Sequence, residues 1–84
     1  MIGLFISYRS GNHYIGIYPT IDITHVVVKE LIEDLELLDK FITISQLRKQ
    51  LDTRDDYWHE FSDGTWITIQ PIAEGLAAKY KLIK

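Results

Sequence analysis

The sequence predicts an α+β fold in a single domain over residues 1–84. Three observations predict it. Alternating apolar residues flank a Gly-Asn turn near the N-terminus, a helical repeat of Val, Leu and Ile follows it, and an Asp-Gly pair sits between two further apolar-rich runs. The expected order is an N-terminal β-hairpin, two helices, a second and wing-like β-hairpin, and a C-terminal helix. With 46% hydrophobic and 25% charged residues, the composition is that of a chain that folds.

The first hairpin spans residues 2–8 and 13–18, with Ser10-Gly11-Asn12 between them. With Gly11-Asn12 as a two-residue turn, Tyr8 faces Ile15 and Ile6 faces Ile17. One face then carries Ile2, Leu4, Ile6, Tyr8, Ile15 and Ile17, an aliphatic set suited to a core. The opposite face carries Phe5, Arg9, Tyr14 and Tyr18, pairing Phe5 with Tyr18 and placing Arg9 against Tyr14 for a cation–π contact. Pro19 ends the second strand, since it has no N–H for a ladder.

A helix is expected over 23–39, capped by Asp22 or Thr24, with Val27, Val28, Leu31, Ile32, Leu35 and Leu38 as its apolar stripe. Phe41-Ile42-Thr43-Ile44 reads as a short extended piece. Ser45 then caps a helix over 45–52 that buries Leu47 and Leu51. The second hairpin spans 57–61 and 65–70. Its rival is a short helix from Thr53 to Phe61. In the strand reading, a two-residue turn sets Phe61 against Trp66, and a three-residue turn sets Glu60 against Trp66 with Trp58 on the same face. Either way, Trp66 opposes Ile67 and Ile69 and lies off the main core. Pro71 suits the first turn of a final helix over 71–81. The expected core includes Ile6, Ile17, Leu31, Leu35, Leu47, Ile67 and Leu76.

From Asp22 onward this order resembles the winged helix-turn-helix class. The resemblance rests on the Phe41–Ile44 strand, the Ser45-Gln46-Leu47-Arg48-Lys49-Gln50-Leu51 helix, the Asp63-Gly64-Thr65-Trp66-Ile67-Thr68-Ile69 wing and return strand, and the Pro71–Ala77 helix. It implies a winged-helix-like core and DNA binding. Only Asp52 to Asp56 separates the second helix from the third strand, so the recognition helix is short or missing.

Composition excludes several chemistries. There is no cysteine, hence no disulfide, thiol catalysis or Cys-ligated metal, which agrees with a cytoplasmic location. No apolar run is long enough to span a bilayer, and no signal peptide is recognisable at the start. His13, His25 and His59 have no ligand spacing among them, the serines lack a nucleophile-elbow context, and the glycines form no phosphate loop. No enzyme, cofactor or metal site is therefore expected.

Two functions are left. The first is a small DNA-binding regulator or DNA-processing accessory protein, contacting phosphates through Arg48, Lys49 and Arg54, with the Asp63-Gly64 wing tip beside the duplex. Acids gather in the first helix, so the remainder is net positive within a chain of net charge −3. The second is an adaptor or inhibitor of a larger protein, compatible with a phage or plasmid origin. It would use the acidic helix or the aromatic hairpin faces, with Phe5, Tyr14, Tyr18, Trp66 and Arg9 as contacts. The structural alternative for those faces is burial against a helix, the other hairpin or a second copy in a homodimer.

Overall fold

The structure, a computed structural model, describes residues 1–72. Strands β1 (Ile2–Ser7) and β2 (His13–Tyr18) form the first hairpin, and β3 (Tyr57–Glu60) and β4 (Trp66–Pro71) the second. Helices α1 (Ile21–Asp34) and α2 (Ile44–Arg54) lie between them in the chain. The hairpins join through β1 and β4 into one antiparallel sheet of order β2-β1-β4-β3. Among the described residues no third helix stands between α2 and β3. None is long and apolar enough to cross a membrane.

Both hairpins close through the same three-residue loop. In the first, the Tyr8 N–H donates to the Asn12 carbonyl at 2.9 Å and the Gly11 N–H to Tyr8 at 2.9 Å. In the second, Phe61 donates to Thr65 at 2.7 Å and Gly64 to Phe61 at 3.1 Å. Gly11 and Gly64 hold the third loop position at φ +93° and +92°, a left-handed conformation that glycine adopts without a Cβ penalty. This corrects the two-residue Gly11-Asn12 turn. Gly-Asn suits a two-residue turn of one type, but Gly11 serves here as the left-handed third residue of the longer loop.

The longer loop shifts the pairing. Ile6 opposes Tyr14 and Phe5 opposes Ile15, which turns β2 over relative to the expected register. Ile2, Leu4 and Ile6 of β1 join Ile67 and Ile69 of β4 beneath Val28, Leu31 and Ile32 of α1 and Leu47 and Leu51 of α2. Both helices therefore cover one face of the sheet. Ile17 is buried as expected, but on the opposite face, against Ile72 and Phe5. Leu35 is half-buried beside the main core.

Helix α1 starts earlier and ends sooner than its periodicity predicts. Thr20, in extended backbone, is the N-cap and accepts from the Ile23 N–H at 3.2 Å. Asp22 and Thr24 are not caps: Asp22 sits in the first turn, and Thr24 is buried with its hydroxyl donating to the Thr20 carbonyl at 2.9 Å. At the other end, Leu37 donates to Ile32 at 3.0 Å and Glu36 to Glu33 at 2.9 Å. That paired closure satisfies the last carbonyls and brings Leu37 back onto the core, so the Leu-rich run stops being helical at Asp34. It places Glu36 at φ +55°, a conformation that costs a residue with a Cβ about 1–2 kcal/mol. Glu36→Gly should therefore raise stability by about 0.5–1 kcal/mol, part of the relief being lost to a more flexible unfolded chain. An upward shift of the urea midpoint at unchanged slope would show this.

The Phe41–Ile44 piece pairs with none of the described strands. It is held instead by the His25 Nε2, which donates to the Ile42 carbonyl at 2.7 Å, and by packing of Phe41 and Ile42 on the core. Thr43, not Ser45, caps α2. Its hydroxyl accepts from the Gln46 N–H at 3.2 Å, and Gln46 Oε1 accepts from the Thr43 N–H at 2.9 Å, a reciprocal capping box. Asp55 ends α2 at φ +63°, and Tyr57–Glu60 is a strand rather than part of a helix.

Pro71 continues β4 instead of opening a helix. Ile72 donates to the Met1 carbonyl at 2.9 Å, so alternation directs position 71 toward the β3 side, where β3 has already ended and no N–H is needed. The rest of the helix expected over 71–81, with Leu76, lies outside the described residues from 73 on.

Candidate functional site

The sheet has a helix-covered face and an opposite face, and the register fixes what the latter displays. Two cross-strand rows lie on it in order from β2 to β3: His13, Ser7, Trp66, Glu60, and then Ile15, Phe5, Thr68, Trp58. Farther along, Ile17, Gly3 and Gln70 form a third row. There the Ile72 side chain lies over Gly3: a Cβ on Gly3 would fall 2.1 Å from Ile72 Cδ1. Glycine at position 3 thus makes room for the small second cluster that closes this end of the face.

Among the described residues nothing closes the first two rows in that way. Trp58 is 58% exposed and Trp66 40%, large values for tryptophan, and their ring centroids lie 6.3 Å apart at a 42° tilt. They are diagonal neighbours, since Trp66 opposes Glu60 and Trp58 opposes Thr68. Beside Trp66 is a shallow depression of about 250 Å³ lined by Phe5, Ile6, Ser7, His13, Tyr14, Ile15 and Trp66. Its polar rim is the Ser7 Oγ and His13 Nδ1, hydrogen-bonded at 3.0 Å.

The residues singled out from sequence fall in three places. Phe5 and Trp66 are on this face. Tyr14 and Tyr18 are not: the corrected register carries them to the α1 side, where their hydroxyls lie 3.5 Å apart beside Val27, Glu30 and Leu31. Burial, then the hydrogen bond to Tyr14, pushes the Tyr18 phenol well above the ordinary tyrosine range. Tyr18 also lies back over Gly16, where a Cβ would approach its hydroxyl to 2.6 Å. Arg9 does not pair with Tyr14. It sits in the first turn with its stem 3.8 Å from where a Cβ on Gly64 would stand, which sets the two hairpin turns side by side.

Of the basic residues Arg48, Lys49 and Arg54 singled out from sequence, two share a groove and the third is held by an acid of α1. Arg48 is engaged by Asp22, an ion pair and hydrogen bond across α1 and α2. Lys49 and Arg54 line a separate polar groove with Ile42, Gln46, Gln50 and Thr53. The Asp63-Gly64 turn is at the far end of β3 from Arg54, next to Asp39. That carboxylate accepts from the Ser62 hydroxyl at 2.6 Å and its N–H at 3.0 Å, which holds the Asp39 carboxyl below its usual range.

The histidines remain apart as sites. His25 caps the Phe41 segment and His13 meets Ser7. His59 lies on the helix side among Phe41, Tyr57 and Phe61, its Nε2 buried without a hydrogen-bond partner. Among the described residues no group of His, Cys, Asp or Glu could hold a metal ion.

Sequence reasoning did not select Trp58, Glu60, His13 or Ile15 as site residues. The signal for Trp58 and Glu60 was the three-residue reading of Ser62-Asp63-Gly64, which puts both in phase with Trp66. Comparison of the chain with protein-family models, with curated proteins and with solved structures finds no match.

Proposed function

We propose that this chain is a small non-catalytic adaptor or inhibitor that binds a larger protein on the face of its sheet that neither α1 nor α2 covers. One observation carries the reading: two tryptophans stand side by side and exposed on a face backed by a hydrogen-bonded sheet. Exposed indoles lose favourable burial, and strands hold them with little entropy left to lose on binding, the conditions for an interface hot spot. Phe5, Ile15 and the adjoining depression extend the apolar area, and His13, Ser7, Glu60, Thr68 and Gln70 supply a polar rim. The lack of cysteine fits a cytoplasmic setting.

Base stacking on the same indoles is a weaker fit. No Lys or Arg occurs in any of the four strands, whereas a nucleic-acid platform needs cations to follow the phosphates. Duplex binding through a winged-helix-like core draws less support too, because Arg48 is engaged by Asp22 and Lys49 and Arg54 lie away from the second hairpin turn.

A gel shift with random duplex and single-stranded DNA across a salt series tests this. The expected result is no shift at protein concentrations up to about 100 µM, the weak end of non-specific binding. Micromolar binding with a steep negative salt slope, reduced by Arg48→Ala with Lys49→Ala, would overturn the reading in favour of the DNA regulator.

A further inference from the structure

We propose that Trp58, Trp66 and Glu60 form a receptor for an arginine side chain of the protein partner; this rests on the protein-binding reading above. The closing pair of the second hairpin is Phe61–Thr65, so the next pair, Glu60–Trp66, is a non-hydrogen-bonded one. Such pairs bring Cα atoms to about 4.5 Å and their side chains close together on one face. Trp58 is two residues before Glu60 on the same strand and shares that face. An exposed glutamate thus neighbours an exposed indole pair on one face of the sheet.

Nothing in the described chain satisfies this group. Glu60 makes no ion pair there, and no described cation stacks on either indole. The nearest turn arginine, Arg9, rests its stem beside Gly64. A guanidinium matches what is offered: its plane stacks on an indole while two parallel N–H groups reach one carboxylate. A lysine ammonium lacks the planar fork, and a quaternary ammonium has no N–H for Glu60. The chain's net charge of −3 adds long-range attraction for a basic segment.

The test titrates the full chain with N-acetylargininamide, its neutral citrulline counterpart and tetramethylammonium, following the two indole N–H signals by NMR. The expected result is millimolar binding of the arginine probe that moves both indoles, about two- to fivefold tighter than citrulline. Glu60→Gln, an exposed substitution, should abolish that preference while leaving the melting temperature unchanged. Equal response to arginine and citrulline, an unchanged preference in Glu60→Gln, or a stronger response to tetramethylammonium would each overturn the assignment. Peptides lacking arginine that still move both indoles would remove the arginine receptor and leave the protein-binding reading standing. Protein ligands that move neither indole would remove both.

Discussion

Replacing Ile6 by aspartate should leave the chain largely unfolded at 25 °C, whereas Ile15→Asp should cost about 1 kcal/mol. Ile6 is 4% exposed between α1 and the sheet, with no cation within the core cluster to meet a carboxylate. Burying an unpaired charge costs several kcal/mol, and losing the isoleucine packing adds about 2–5 kcal/mol. A domain of this length has about 4–13 kcal/mol in total, at about 0.05–0.15 per residue. Ile15 is half-buried on the face opposite α1 and α2, where a carboxylate reaches water. The contrast also tests the register, because the two-residue turn would put both residues in one core. Equal loss of the cooperative melt in the two variants would contradict the observed pairing.

The double variant Trp58→Ala with Trp66→Ala should lose more than about 100-fold in partner affinity and little stability. Hot-spot truncations cost at least about 2 kcal/mol each, roughly 30-fold, and neighbouring ones do not add fully. The folded chain loses their mutual ring contact, worth about 0.5–1.5 kcal/mol, and the packing of the covered part of Trp66, while Trp58 is already mostly in solvent. Calorimetric titration and a thermal melt on the same preparation separate the two effects. A collapse of the melt would show instead that the indoles hold the domain together.

Much of the fold is legible from residue order, and the misreadings trace to turns and caps. Both hairpins and both helices follow from alternation and from Leu and Val spacing, since burial on one side imposes those periods. The face of β2 is not legible in that way. His13-Tyr14-Ile15-Gly16-Ile17-Tyr18 alternates aromatic or polar with aliphatic residues, so either phase looks amphipathic, and only the loop length chooses. The three-residue loop sends the tyrosines to the α1 side and Ile15 and Ile17 to the other. The early stop of α1 is similarly hidden, because Leu35, Leu37 and Leu38 read as more helix until the backbone bonds from Leu37 and Glu36 close it. For the candidate site, Trp66 was visible because any register opposes it to Ile67. Trp58 and Glu60 depended on the turn. The cationic cluster was a matter of sequence proximity only, and the Arg48–Asp22 pair, 26 residues apart, has no local signature.

The most direct test of the central claim uses the two tryptophans as reporters. Peptides selected from a random display library against the full chain can be titrated into isotope-labelled protein, following the two indole N–H signals and the backbone amides of α2. The account predicts that both indole signals and the amides of Phe5, Ser7 and Thr68 shift together, while Lys49 to Arg54 stay in place. Shifts confined to α2, with both indoles unmoved, would contradict it.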